Sequence, residues 1–339
     1  MQSKNLLSWG MAVDKIRNLI RTYSLLLKVV RVVGYSQMMI GIRNLRSSVG
    51  LLRSVLSRAR YFVEQKNEPT SSTVCFVLGN GPSLAMDLKD GLDALCMGDV
   101  VCVNSFAETD LYEKIKPKYY VLADPDYWST GWSESNDAMI TSLFDKILSK
   151  TSWTLTIFAP FEARELFEVT FYGSRNIRVS FYNTLLLQGT KNTLHILYDL
   201  GLSMPPPQNV LIPALYLSLR LGYVKIILLG ADHSWHETLV LDDANRVCVR
   251  QPHFYDTDAK LRPLSMGVAG VHGEKLFTMD TALHAFANMF EGYWKLEEYA
   301  KYRGAQVYNA SSVTFIDAFK RKPIAELLVE LADDARKDR

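Results

Sequence analysis

An α/β fold built on a mainly parallel sheet is what this 339-residue sequence predicts, and three observations predict it. From residue 74 onward, short β-branched apolar runs alternate with helical patterns, which is how a parallel sheet wrapped by helices reads in sequence. A glycine-rich turn follows the first of these runs directly. Several later runs end in polar residues, as strands do when their carboxyl ends line one crevice. The expected architecture is Rossmann-like, with helices on both faces and an inserted lid, behind a basic helical region.

Composition sets the outer bounds. With 48% apolar and 22% charged residues, the chain has enough apolar material for a large core, which excludes a disordered or fibrous protein. Cys75, Cys96, Cys102 and Cys248 show no C-x-x-C spacing. Neither a zinc site nor a disulfide framework is expected, and a reducing, cytoplasmic compartment fits best.

The total charge of +2 conceals an uneven distribution, because residues 1–66 carry twelve Lys and Arg against Asp14 and Glu64, for a net +10. Within that region Ile16, Leu19, Ile20, Tyr23, Leu27, Val30 and Val33 recur at helical spacing, with Arg17, Arg21, Lys28 and Arg31 largely off the stripe. This is a basic amphipathic helix. The same charges interrupt the stretch from Leu19 to Ile42, so a membrane-spanning helix is not expected, and no small-residue cleavage site marks a signal peptide. A second helical pattern runs from Ile42 to Ala59. Two roles suit the pair: a helical hairpin packed on the main domain, or a peripheral anchor on an anionic membrane surface at the inner face of the cell membrane. Nucleic acid is not expected as a partner, because aromatic residues do not interleave with the basic ones.

Asn67-Glu68-Pro69-Thr70-Ser71-Ser72 reads as a linker (residues 67–72), and the catalytic domain is expected over residues 73–325. Its strands are expected at Val74–Leu78, Val100–Val103, Tyr119–Ala123, Trp153–Phe158, Ile177–Phe181, Val224–Leu229 and Gln306–Tyr308. A long helix is expected from Met279 to Arg303, and a charged tail over residues 326–339. Periodicity fails over residues 233–276, which is read as the lid.

The residues able to carry chemistry gather at strand ends. After Val74–Leu78 comes Gly79-Asn80-Gly81-Pro82-Ser83, where glycines let backbone amides approach an anion and Ser83 is placed to cap the next helix. Asn104-Ser105 follows the second strand, Asp124-Pro125-Asp126 the third, and Asp232 the strand ending at Leu229. Asp124 and Asp126 have two readings: turn capping, or a D-x-D pair that holds a divalent metal on a diphosphate.

Gly79-Asn80-Gly81-Pro82-Ser83, Val103-Asn104-Ser105-Phe106, Leu221-Gly222-Tyr223 leading into Leu229-Gly230-Ala231-Asp232, and the late helix with Asp280 together resemble one superfamily. It contains the short bacterial sialyltransferases that use CMP-sialic acid, the motility accessory factor proteins that glycosylate flagellin, and the archaeal-type hydroxymethyl-dihydropterin diphosphokinases. The resemblance covers roughly residues 73–320.

It implies a glycosyltransferase that takes a nucleotide-sugar donor, with a nonulosonic acid on CMP the expected sugar, and transfers it to a hydroxyl of a surface glycan or glycolipid. It implies contacts from Asn80 and Asn104 to the donor's phosphate and nucleotide. Asp124 stands where the sialyltransferases have an asparagine, and a carboxylate there repels phosphate unless a cation intervenes. A lid histidine is implied as general base, with His272 nearest the family position and His253 next, and Tyr255 assists the leaving phosphate. Of the remaining histidines, His233 and His236 are expected to orient the loop, and His195 and His284, in helical patterns, to be structural. No cofactor is expected; magnesium or manganese enters only through Asp124 and Asp126. The alternatives are a diphosphokinase using ATP and magnesium, or a membrane-associated nucleotide-binding scaffold without catalysis.

Overall fold

The computed structural model describes residues 72–89, 91–128, 134–249, 261–266 and 275–337. The basic region 1–66, and His253, Tyr255 and His272 of the lid, lie outside the described residues. The chain divides into two compact units, residues 1–67 with 185–204 and residues 68–184 with 205–339.

In the second unit, eight strands form one sheet: β1 (Val74–Leu78), β2 (Asp99–Val103), β3 (Tyr119–Val121), β4 (Leu155–Pro160), β5 (Ile177–Tyr182), β6 (Lys225–Leu229), β12 (Gln306–Asn309) and β13 (Lys320–Arg321). Their spatial order is β13-β12-β6-β1-β2-β3-β4-β5, and every pairing is parallel. This is the Rossmann-like α/β architecture the sequence predicts. Every residue of β1 is buried, which explains why the central strand reads as an unbroken apolar run rather than an alternating one.

The order fixes where the sheet changes direction. The chain steps outward from β1 to β5, then returns to place β6 on the other side of β1 and continues outward to β13. Because parallel crossovers are right-handed, helices made before the return and after it cover opposite faces.

Before the return come α1 (Leu84–Asp87), α2 (Leu111–Ile115), α3 (Glu134–Lys150) and α4 (Arg164–Thr170). The return itself is made by α6 (Leu211–Leu221), buried from Leu211 to Leu219 and packed on β1, β2 and β6. It ends at Gly222, whose φ of 96° is the left-handed conformation that stops a helix at glycine. Next to it lies α7 (Met279–Tyr302), opened by a capping box at Thr278. The charged stretch after Pro323 is helical, as α8 (Ile324–Lys337): Leu327 and Leu331 are buried, and Lys225 bonds Asp334 at 3.0 Å.

The interval read as an aperiodic lid contains two small antiparallel sheets, β7 (Leu239–Leu241) with β8 (Val247–Val249) and β9 (Arg262–Pro263), and β10 (Ser265–Met266) with β11 (Lys275–Leu276). Asp242 and Asn245 make the β7–β8 turn, with Asn245 at φ 58° and Arg246 N–H donating to Asp242 Oδ1 at 2.8 Å. Among the described residues no helix is long and apolar enough to cross a membrane.

The first unit includes residues 185–204, where α5 (Lys191–Asp199) carries Leu197 into a small cluster with Leu187 and Leu202. His195 on this helix is buried.

Candidate functional site

The carboxyl ends of β1 and β6 flank the point where strand order reverses, the position at which open α/β sheets leave a crevice. Two loops leave the sheet there, and they are bonded to each other. Gly79 N–H donates to Leu229 O at 2.8 Å and Gly81 N–H to Gly230 O at 2.9 Å. Ser83 N–H donates to both carboxylate oxygens of Asp232, at 3.2 and 3.3 Å, and Ser83 Oγ donates to Asp232 Oδ2 at 2.7 Å.

The glycines are required by proximity. A Cβ on Gly79 would stand 2.4 Å from Gly230 O, and one on Gly81 would stand 2.0 Å from Asp232 Oδ2. Gly230 itself takes φ 64°, a left-handed conformation suited to glycine. Ser83 was expected to cap α1 with its side chain; instead its hydroxyl turns to Asp232, and α1 has no side-chain cap. The glycine N–H groups are thus spent on carbonyl oxygens of the β6 loop, and the carboxylate held by Ser83 at the end of the turn is the protein's own Asp232.

Behind this clamp sits Asp87, a residue that the sequence did not single out. Buried at the end of α1, it accepts the backbone N–H groups of Gly230 and Ser312, each at 2.8 Å. Burial raises the Asp232 carboxyl above its usual range, and the Ser83 bonds oppose that shift. Phe315 N–H reaches Asp232 O at 2.9 Å, and Thr314 Oγ1 reaches Ala231 O at 2.7 Å, so the loop after β12 closes the same side.

Toward β2 and β3 the edge is less saturated. Asn80 is exposed, and its Nδ2 donates to Val103 O at 3.0 Å, which brings it beside Asn104. Asn104 takes φ 45°, a conformation asparagine tolerates better than most side chains. The Tyr120 hydroxyl bonds Asn104 O and accepts from Ala107 N–H, holding this turn open. Asn104 Oδ1 is buried and has no partner among the described residues. Ser105 is hydrogen-bonded to the Tyr127 hydroxyl, whose pKa burial pushes up to about 12.

One residue past the next turn, Asp124 Oδ1 accepts Asp126 N–H at 3.1 Å and caps the single turn Pro125–Tyr127. Burial first, and the Asp124 charge second, raise the Asp126 carboxyl. Among the described residues no group of three or more His, Cys, Asp or Glu stands together as metal ligands.

Asn80, Asn104, Asp124 and Asp232 thus follow β1, β2, β3 and β6 on one edge. His284 is exposed, with Nδ1 at 2.9 Å from Asp280 O within α7. His236 is exposed and meets the Phe315 ring edge-on at 4.5 Å. His233 is different: it is buried directly after Asp232 in a left-handed conformation, φ 52°, and bonds Tyr293 of α7.

Comparison by sequence finds no matching protein family and no matching curated relative. Among solved structures, the chain is similar to a MAf glycosyltransferase from Magnetospirillum magneticum AMB-1, with a TM-score of 0.41 and 14% identity over 84% of this chain. The match spans 41% of that longer protein.

Proposed function

We propose that this protein is a glycosyltransferase that binds a nucleotide-activated sugar, with CMP as the nucleotide and a nonulosonic acid as the sugar, along the carboxyl edge of its sheet. The observation that carries the reading is Asn104: a turn held in the left-handed region, presenting a buried carbonyl oxygen without a partner beside Asn80. An amide oxygen accepts hydrogen bonds, so it suits a hydroxyl or amino group of a nucleoside. The phosphodiester that links CMP to its sugar is ionised and carries no O–H, so it offers no such donor. The motif resemblance of residues 73–320 supports the same assignment.

Transfer joins an acceptor hydroxyl oxygen to the anomeric carbon while the bond from that carbon to the CMP phosphate oxygen breaks. CMP leaves with the electron pair, and the hydroxyl proton passes to a lid histidine. His272 is the proposed base, His253 the alternative, and Tyr255 the residue that assists the departing phosphate. A neutral imidazole is the side chain best matched to this proton transfer near pH 7. In this reading Asp124 and Asp126 are turn residues, and chelation leaves turnover intact. The acceptor is a hydroxyl of a surface glycan or glycolipid, reached at the inner face of the membrane through residues 1–66.

A thermal-shift screen tests the nucleotide directly, since a ligand that binds only the folded state raises its apparent stability. CMP and CMP-linked sugars should protect. Protection by ATP with magnesium, and none by CMP, would replace this reading with the diphosphokinase.

A further inference from the structure

We infer that His233 is a ligand-recognising residue, whose Nδ1 accepts a hydrogen bond from a hydroxyl or amino group of the nucleotide sugar bound at the carboxyl edge. This rests on the nucleotide-sugar reading above and adds to it a contact on the β6 side of the crevice.

The protons shared by Asn209, Tyr293 and His233 fix the tautomer of the imidazole. Asn209 Oδ1 accepts the N–H groups of Leu211 and Ile212 at 2.8 and 3.3 Å, which caps α6 and fixes which end of the amide is oxygen. The Tyr293 hydroxyl donates to that same oxygen at 3.1 Å, and its one proton is then committed. His233 Nε2 lies 2.8 Å from the Tyr293 oxygen, so the bond between them must use the proton on Nε2. The imidazole is therefore the Nε2–H tautomer, and Nδ1 carries a lone pair. That lone pair is buried with no partner among the described residues, and so is the Nδ2 donor of Asn209 in the same network.

Three further features separate this from an ordinary core histidine. The residue is 6% exposed, and its Nδ1 has no partner among the described residues where burial makes that costly. Its backbone is left-handed at φ 52°, a conformation that disfavours a histidine unless something holds it. Its neighbour in sequence, Asp232, belongs to the clamp at the strand reversal. The ring packs edge-to-face on Trp235, the first residue of the Trp235–Thr238 turn, at 4.8 Å. Burial holds the imidazole neutral, pushing its pKa down to about 3, which suits a hydrogen-bond acceptor and makes it a poor proton-abstracting base. Recognition and base catalysis thus fall to different histidines.

The test uses the full chain labelled with 15N-histidine, with CMP and a CMP-linked sugar as probes. Without ligand, the His233 spectrum should show a protonated Nε2 and a bare Nδ1 at neutral pH. A saturating probe should move the Nδ1 resonance toward that of a hydrogen-bonded nitrogen and leave Nε2 nearly unchanged. Probe binding seen by calorimetry with an unmoved Nδ1 would overturn the inference while sparing the CMP reading, and would leave a buried water as the partner. A protonated Nδ1 in the free protein would overturn it as well. Absence of any probe binding would remove the CMP reading and this inference together. His233→Asn, which tolerates the left-handed backbone and keeps an acceptor, should lose less affinity than His233→Leu, for which a loss of about 5- to 150-fold is expected. Equal affinity of His233→Leu and the unaltered protein would contradict the contact.

Discussion

The two halves of the sheet's carboxyl edge are built in opposite ways. At β1 and β6 the loops saturate each other's backbone: the N–H groups of Gly79, Gly81 and Ser83 are all spent on protein oxygens, Asp87 ties down Gly230 and Ser312, and the open acceptor on this side is a side-chain atom, His233 Nδ1. At β2 the turn is held firmly by Tyr120, but Asn104 Oδ1 has no partner among the described residues. Rigidly held turns that carry unused acceptors suit a binding edge, because positioned groups lose little freedom when a ligand arrives.

Substitutions should separate the saturated side from the unsaturated one. Gly81→Ala has the largest expected effect, since its Cβ would meet both Asp232 Oδ2 and Gly230 O. Displacing the clamp should cost about 3 to 5 kcal/mol in denaturant unfolding. A loss below about 1 kcal/mol would mean the two loops are not rigidly joined.

Next in size is a pH effect. A histidine depressed to about 3 in the folded state takes up its proton first in the unfolded chain as pH falls. Stability present above pH ~6.5 is then lost toward pH ~3, at no more than about 1.4 kcal/mol per pH unit. Asp232 acts with the opposite sign: its raised carboxyl favours the folded state on acidification. Unfolding from pH 7 to 4.5 should therefore show net acid loss that His233→Asn flattens and Asp232→Asn steepens.

Asp232→Ala should cost about 1 to 3 kcal/mol at pH 7 by orphaning Ser83 N–H. The smallest effect belongs to Asn80→Ala, about 0.5 to 1.5 kcal/mol for one part-buried bond to Val103 O.

Much of the fold is legible in the sequence because the parallel strands are buried on both faces. β1 and β6 appear as Val-Cys-Phe-Val-Leu and Lys-Ile-Ile-Leu-Leu, and the Gly222 stop and the Thr278 start of the long helix are both local signals. The β7–β8 hairpin was equally readable, since Leu-Val-Leu and Val-Cys-Val flank Asp242 to Arg246, but the polar residues around it led to a reading of the whole interval as loop. The helical character of the C-terminal stretch was masked by its charges, although Leu327 and Leu331 stand one turn apart on its buried side.

The site was legible only as a set of strand ends. That Ser83 faces Asp232, that Asp87 reaches across to Ser312, and that Tyr293 meets His233 are contacts between residues 60 or more positions apart. No local pattern encodes them. His233 illustrates the point: a histidine after a strand is unremarkable until the proton count of its distant partners leaves one nitrogen bare.

Isothermal titration of CMP, and separately of ATP with magnesium, into the unaltered chain and Asn104→Ala tests the central claim most directly. The account predicts that CMP binds, and that Asn104→Ala weakens it by about 5- to 150-fold, while unfolding stability falls by only the roughly 1 to 2 kcal/mol that alanine costs in the left-handed backbone. Tight ATP binding with no CMP binding, or CMP affinity untouched by Asn104→Ala, would contradict it.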